Sequence, residues 1–151
     1  MHVFTDKLLN LCTSHSEQIA RAWCKAVKTN PRTPSFASIP DDDLVSEAVH
    51  FYKKLKDVFF SADRFQMLQK HFGHLAERTF NRDIELHEGL YALAMMKRHI
   101  WLYAEFQTLF NTGLDMYHAV ESINRMVLIF DYANYAVTLK YRELEAEKEC
   151  M

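Results

Sequence analysis

Glycine and proline are scarce in this sequence. The 151 residues include only 3 Gly and 3 Pro, and the prolines (Pro31, Pro34 and Pro40) all lie in one short stretch. Tight turns depend on these two residue types, so the chain lacks the material for the many turns of an all-β fold. The composition therefore predicts an all-α fold of long helices, arranged as a single domain over residues 1–151.

Signals for secretion, membrane insertion and nucleic-acid binding are also missing. The first residues lack the basic and then apolar pattern of a signal peptide, and no apolar run approaches the ~18 residues of a membrane-spanning helix. The 3 cysteines are odd in number and form no C-x-x-C pair, which is usual in a reducing compartment. With a net charge of −2, no overall positive field attracts DNA or RNA. These absences predict a cytoplasmic protein that neither binds nucleic acid nor inserts into a membrane.

Motifs for covalent and phosphoryl-transfer chemistry are absent as well. There is no G-x-S-x-G and no glycine-rich phosphate loop, so the chain is not expected to be an enzyme. One catalytic alternative stays open, because two carboxylate-x-x-His units, Glu47–His50 and Asp115–His118, have the spacing that places both groups on one helix face. Together with carboxylates from two further helices they would form a di-metal carboxylate and histidine bundle, as in di-iron enzymes.

The spacing of apolar residues predicts about five helices. They run from about Thr5 to Lys28, from Asp41 to about Phe59, from a cap at Ser61 to about Thr79, from about Glu85 to Phe110, and from about Asp115 to the end of the chain. A loop with the three prolines connects the first two, and a turn at Arg82–Asp83 precedes the fourth. The fourth helix is apolar on nearly all sides, which is typical of a central buried helix.

The last predicted helix carries a repeat of alternating three- and four-residue steps, as in a coiled coil. We expect it to form a homodimer, with Asn134 as a buried polar residue that sets the register. The candidate interface consists of Ile123, Val127, Phe130, Asn134, Val137 and Tyr141. After Tyr141 the segment 142–151 is highly charged and is a possible helical linker to a downstream domain or partner protein.

Polar side chains on the third and fourth predicted helices suggest a ligand site. At about 100° per residue, His71, His74 and Arg78 fall on one stripe beside the apolar positions. On the fourth helix, Tyr91 and Arg98 lie on the one polar stripe, and a charge on a buried helix needs an acidic or anionic partner. The candidate ligand-binding residues are therefore His71, His74, Arg78, Tyr91 and Arg98.

Four short segments together resemble a known family. They are Ile19–Trp23, His74–Arg78, Glu88, and Lys97–Trp101. In this order they resemble the N-terminal domain of RsbR-type stressosome co-antagonists and related bacterial sensor proteins. That resemblance implies a globin-like fold without haem, placed ahead of a transmitter such as a STAS domain or a histidine kinase. The family pattern has a glycine in the turn after the His-x-x-x-Arg unit, whereas this chain has Asn81–Ile84 there.

These observations favour a sensory or regulatory input domain of a bacterial signalling protein. It would sense a ligand or partner and signal through its C-terminal helix, with no catalytic residue, no metal and no cofactor. A second hypothesis is a haem-binding globin-type sensor, in which His74 or His71 would be the proximal ligand and the aromatic residues would line the pocket. The di-metal enzyme is the third.

Overall fold

The computed structural model describes residues 3–106 and 113–150, and no side chain at positions 3–5, 105–106, 113–116 or 119. Within these ranges the chain contains six α-helices and no strand. The helices are α1 (Val3–Ser14), α2 (Ser16–Thr29), α3 (Asp41–Phe60), α4 (Arg64–Asn81), α5 (Leu86–Phe106) and α6 (Gly113–Cys150), with a 3₁₀ turn at Pro34–Ser38. The prediction of an all-α fold is confirmed. None of these helices combines the length and the hydropathy that crossing a membrane requires.

The first predicted helix is two helices in the structure. The chain bends at His15, whose φ is −114° and ψ is 23°, although backbone hydrogen bonds continue across the bend from His15 to Leu11 (2.9 Å) and from Ile19 to His15 (3.1 Å). The bend lets α1 pack against α3 and α6 while α2 packs against α3 and α5. The prediction of one helix was wrong because the apolar positions continue in phase through the bend.

The proline-containing connection between α2 and α3 is folded onto the body of the protein. Phe36 is buried, and the Thr33 hydroxyl donates to the Val27 carbonyl at 2.6 Å. Glu88 on α5 accepts two hydrogen bonds from Ser35, one from the backbone N–H (2.9 Å) and one from the hydroxyl (2.7 Å). These bonds satisfy a carboxylate that is only 5% exposed and fix the connection to the start of α5.

Helix α4 ends in a left-handed turn where the sequence predicts a turn. Asp83 has a φ of 60°, and the Ile84 N–H reaches back to the Thr79 carbonyl at 3.1 Å, as in a Schellman motif. The start of α4 differs from the prediction, because the helix begins at Arg64 and the hydroxyl of Ser61 instead accepts from the Asp63 N–H at 3.0 Å. Ser61 therefore follows the end of α3 and does not cap α4.

Helix α5 is less buried than its composition suggests. Leu93, Met96 and Ile100 are in the core, but Arg98 is exposed and Leu102 is 49% exposed. These last two side chains lie four residues apart and share the solvent face. The prediction that Arg98 is buried against an acidic or anionic partner was wrong, because a helix with an excess of apolar residues can still turn one face to water.

The longest helix, α6, completes the core. It packs most extensively against α4, where Phe65 contacts Tyr132 (ring centroids 4.8 Å apart) and Phe80 contacts Tyr141 (5.5 Å). The small buried residues Ala133 and Ala136 allow the close approach of α6 to its neighbours. Beyond Tyr141 the helix continues to Cys150 with its side chains largely exposed.

Candidate ligand-binding cavity

A cavity of about 40 Å³ lies in the middle of the helical bundle. Its walls come from α2, the 3₁₀ turn, α3, α4, α5 and α6, and they are mostly apolar. The larger apolar side chains in the wall are Trp23, Phe36, Phe51, Phe72, Leu93 and Met96. Half-buried members of the lining, Glu47, His71 and Leu75, belong to α3 and α4. The cavity therefore approaches solvent between these two helices.

Two arginines neutralise the carboxylate at this edge. Glu47 accepts from Nε of Arg78 at 3.3 Å and lies 3.1 Å from Nη1 of Arg82. The Glu47 side chain is 17% exposed, whereas those of Arg78 and Arg82 are 46% and 27% exposed. An ion pair between partly exposed groups contributes little to stability. Its main effect here is local, because the carboxylate is neutralised and one net positive charge, shared by Arg78 and Arg82, remains at the edge of the cavity.

His71 is the polar group with the most unusual environment. Its ring stacks on His50 with centroids 5.4 Å apart and contacts Phe51 at 5.7 Å and Phe72 at 4.9 Å. Burial, together with smaller contributions from the neighbouring bases His50, Lys54, Arg78 and His74, lowers the pKa of His71 from 6.5 to about 4. The imidazole is therefore neutral at pH 7, with one nitrogen able to donate and the other able to accept a hydrogen bond.

Hydrogen bonds from buried aromatic side chains hold the walls in place. Trp23 Nε1 donates to the Ala92 carbonyl and the Tyr52 hydroxyl donates to the Met96 carbonyl, each at 3.0 Å. Both acceptors lie on α5, so this helix is fixed to α2 on one side and to α3 on the other. A wall held by such bonds keeps its shape, because breaking one leaves a buried polar group unpaired.

The five candidate ligand-binding residues do not form one site. His71 lines the cavity, and Arg78 reaches its edge through Glu47. His74 and Arg98 are exposed, and Tyr91 lies in a separate surface depression, where the Arg32 guanidinium is 6.0 Å from its ring. Helical spacing indicates that His71 and Arg78 share one side of α4, but it does not show which residues of other helices lie beside them.

Sequence reasoning missed the glycine in the wall. Gly89 is buried and lines the cavity, and a Cβ added there would meet no atom within 4 Å. A signal was present, because a glycine inside a helical pattern is unfavourable and indicates a packing or functional reason. Trp23 was recognised as an apolar position of the first predicted helix and as part of the family resemblance, but not as part of a cavity wall.

The residues at this site do not fit a haem. His74, one of the two proposed proximal ligands, is exposed, and the imidazole of His71 lies between His50, Phe51 and Phe72. Pockets for drug-sized ligands are about 300–1,000 Å³, far larger than a cavity of about 40 Å³.

The two carboxylate-x-x-His units do not form a metal centre within the described residues. Glu47 forms ion pairs with two arginines, and the ring of His50 stacks on that of His71. The side chain of Asp115 lies outside the described residues. In the part of the chain that the structure describes, no group of three or more His, Cys, Asp or Glu side chains could hold a metal ion.

The buried cysteines are unsuited to nucleophilic chemistry. Burial raises the pKa of the Cys12 thiol to about 12 and also raises that of Cys24. The reactive form of cysteine is the thiolate, so neither side chain supplies a nucleophile at pH 7.

The candidate dimer interface divides into two groups. Phe130, Val137 and Tyr141 are 2%, 3% and 2% exposed within one chain, so they belong to the core of the protomer and are unavailable to a partner. Their assignment to the interface was wrong, because a repeat of three and four residues describes a helix that packs on its own domain equally well. Ile123 and Val127 are 38% and 37% exposed and Asn134 is exposed within one chain, so these three side chains remain available to a partner.

Compared with family models, with curated proteins and with solved structures, the chain has no match in any of the three.

Proposed function

We propose that this chain is a non-catalytic input domain that senses a small ligand in its interior and signals through α6. The observation that carries the proposal is the position of Val137. This side chain belongs to α6 and lines the cavity, so the helix that leaves the domain also forms part of the cavity wall. A ligand that changes the wall therefore acts directly on that helix.

The path from the cavity to the exit of α6 is short. One turn after Val137, the Tyr141 hydroxyl donates to the Ile84 carbonyl at 2.7 Å, and its ring contacts Phe80. Tyr141 is 2% exposed, while residues 142–150 form a helix whose side chains are largely exposed. Tyr141 thus fixes α6 to the turn between α4 and α5 at the point where the helix leaves the body.

The family resemblance and the remaining exposed residues extend this proposal. An RsbR-type input domain would have a globin-like arrangement of these helices and would precede a transmitter or bind a partner protein. A homodimer would form through the solvent face of α6, where Tyr117, Val120, Ile123, Val127, Leu128 and Tyr135 are 37–70% exposed. Large apolar side chains exposed along one helix are typical of interaction sites.

Hydrogen–deuterium exchange tests whether the cavity is coupled to α6. Leu93 lies in the cavity wall on α5, so Leu93→Ala enlarges the cavity without changing a residue of α6. The matched control is Leu44→Ala, which removes an equally buried leucine (3% and 1% exposed) from α3 away from the cavity. Each change costs about 2–5 kcal/mol, so the two variants are compared at temperatures where their global stabilities are equal.

We expect Leu93→Ala to accelerate exchange in residues 137–145 of α6 beyond what Leu44→Ala does. Local unfolding occurs most readily in the elements that are least well packed. In Leu93→Ala the cavity wall, which includes Val137 of α6, would be such an element. If both variants show the same exchange pattern in α6, the cavity is not coupled to this helix and the proposed signalling route is wrong.

A further inference from the structure

The solvent face of α6 has a pattern that is nearly the same when read from either end. An apolar pair lies at its centre, a polar residue follows three positions beyond the pair on each side, and an apolar residue follows seven positions beyond it. In chain order these residues are Val120, Asn124, Val127, Leu128, Asp131 and Tyr135, and all are exposed. At 3.6 residues per turn they fall within an arc of about 100°. A two-fold axis that reverses the helix direction maps such a face onto itself, as a symmetric dimer interface requires.

Asp131 is an unpaired charge in the middle of this face. In the described part of the chain, no ion pair involves its carboxylate. Its neighbours one turn away on α6 are uncharged, and they are Val127, Leu128, Asn134 and Tyr135. A carboxylate is costly to remove from water unless a donor replaces the water. A partner that covers this face must therefore supply a hydrogen-bond donor opposite Asp131.

The requirement of Asp131 selects the direction of a second α6. In a parallel two-fold dimer each residue faces its own copy, so two Asp131 carboxylates would meet at the centre of the interface and repel each other. In an antiparallel dimer centred between Val127 and Leu128, the two carboxylates are about 10 Å apart along the helix axis. Each then lies opposite Asn124 of the second copy, whose side-chain amide can donate to it.

The other residues of the face fit the same antiparallel register. Val127 and Leu128 would each contact their own copies across the two-fold axis, and Val120 would lie opposite Tyr135. The charged end of α6 gives a second reason for this direction, because residues 142–150 contain four acidic residues and two basic ones. Two such ends would repel each other side by side in a parallel dimer, whereas the antiparallel arrangement separates them.

We propose that the exposed face of α6 binds a second copy of the chain with the two helices antiparallel, in the register that places Asn124 opposite Asp131. This inference rests on the proposed function, which includes a homodimer through this face, and it defines the geometry of that dimer. The two C-terminal segments then leave the dimer at opposite ends. Each domain would act on its own downstream domain or partner, and not through a coiled coil shared by both chains.

Disulfide formation between single introduced cysteines shows which positions face each other, because the two Cα atoms must lie about 4.4–6.8 Å apart. The full chain is used with Cys150→Ser, since Cys150 is exposed whereas Cys12 and Cys24 are buried. Val127→Cys should form a covalent dimer on mild oxidation, because its two copies are only about 1.5 Å apart along the axis. Gln69→Cys, on the exposed side of α4, is the matched control and should stay monomeric on a non-reducing gel.

Positions 120 and 135 distinguish the two directions. In the antiparallel dimer the two copies of Val120 are about 22 Å apart along the axis, as are those of Tyr135. Neither Val120→Cys nor Tyr135→Cys alone should therefore form a covalent dimer. A mixture of the two variants, left to exchange chains before oxidation, should form one. All the substituted side chains are exposed, so the variants should fold as the parent does, which circular dichroism checks.

The possible failures separate this proposal from the proposed function. A covalent dimer of Val120→Cys alone, or no covalent dimer from the mixture, would overturn the antiparallel arrangement, while the homodimer itself would stand. If Val127→Cys behaves like Gln69→Cys, or the parent sediments as a monomer, both this interface and the homodimer are wrong. The coupling of the cavity to α6 is measured separately by hydrogen–deuterium exchange, and neither result would change it.

Discussion

The neutral state of His71 should make the protein lose stability on mild acidification. The pKa of His71 in the folded protein is about 4, against about 6.5 in an unfolded chain. Between these values the unfolded state binds the proton first, so the free energy of unfolding falls as the pH is lowered through 6.5 towards 4. A shift of one pKa unit corresponds to about 1.36 kcal/mol. The contribution of His71 to the free energy of unfolding should therefore fall by about 2 kcal/mol between about pH 7.5 and pH 5.

His71→Phe should remove this part of the pH dependence. Phenylalanine keeps a ring against Phe51 and Phe72 but cannot be protonated. The matched control is His74→Phe, one turn along the same helix, where the imidazole is exposed. Urea denaturation at about pH 7.5, 6 and 5, followed by circular dichroism, gives the free energy of unfolding for each protein.

The difference between each variant and the parent isolates the one imidazole from the other histidines, of which the chain has 8 in all. We expect the stability of His71→Phe to decline less than that of the parent by about 2 kcal/mol over this range, and His74→Phe to follow the parent. If His71→Phe and the parent lose the same stability, the imidazole is not shielded from water. The conclusion that the edge of the cavity excludes water would then be wrong.

Two further predictions concern the turn after α4 and the exposed face of α6. Asp83→Gly should raise stability by about 0.5–1 kcal/mol, because glycine adopts a φ of 60° without steric cost. The control is Asp63→Gly, because Asp63 has a φ of −94° and should gain no stability in thermal denaturation. Equal gains from the two substitutions would contradict the explanation by the φ of Asp83. Val127→Glu should raise the Kd of a homodimer at least about tenfold, which corresponds to a loss of about 1.4 kcal/mol in the free energy of association. The measurement is analytical sedimentation. The control Gln69→Glu, on the exposed side of α4, should leave this Kd unchanged. A parent protein that sediments as a monomer would refute the dimer.

The sequence predicts the helices well because each of them buries one face. Of the periodic positions on α4, Leu68, Phe72 and Thr79 are buried, Leu75 is half-buried, and Phe65 near the start of the helix is 39% exposed. A period of 3.6 residues is visible without knowledge of any neighbour. The proline-containing connection was equally clear, since proline and glycine limit where a helix can continue. The bend at His15 left no trace, because the apolar positions on both sides of it share one phase.

The identity of the packing partner was not readable from the sequence. The repeat in α6 indicated which side of the helix is apolar, but it could not distinguish a second protomer from the protein's own α4. Val137 and Tyr141 therefore became interface candidates although they form part of the core. In the same way, Glu47 and Arg78 are 31 positions apart, and nothing in their local patterns indicates that they pair. Long-range neighbours decide the site, whereas local periodicity decides the helices.

The energy that a small ligand can supply limits how α6 could respond. At about ten times its Kd, a ligand stabilises the bound state by about 1.4 kcal/mol, comparable to the net contribution of one hydrogen bond. The bond from Tyr141 to the Ile84 carbonyl is of this size, and it joins α6 to the turn that connects two cavity walls. A ligand that contacts α6 equally well before and after a shift would change nothing. Signalling through this route therefore requires two positions of α6 that differ by no more than about one such bond, with the contact of Val137 to the ligand favouring one of them.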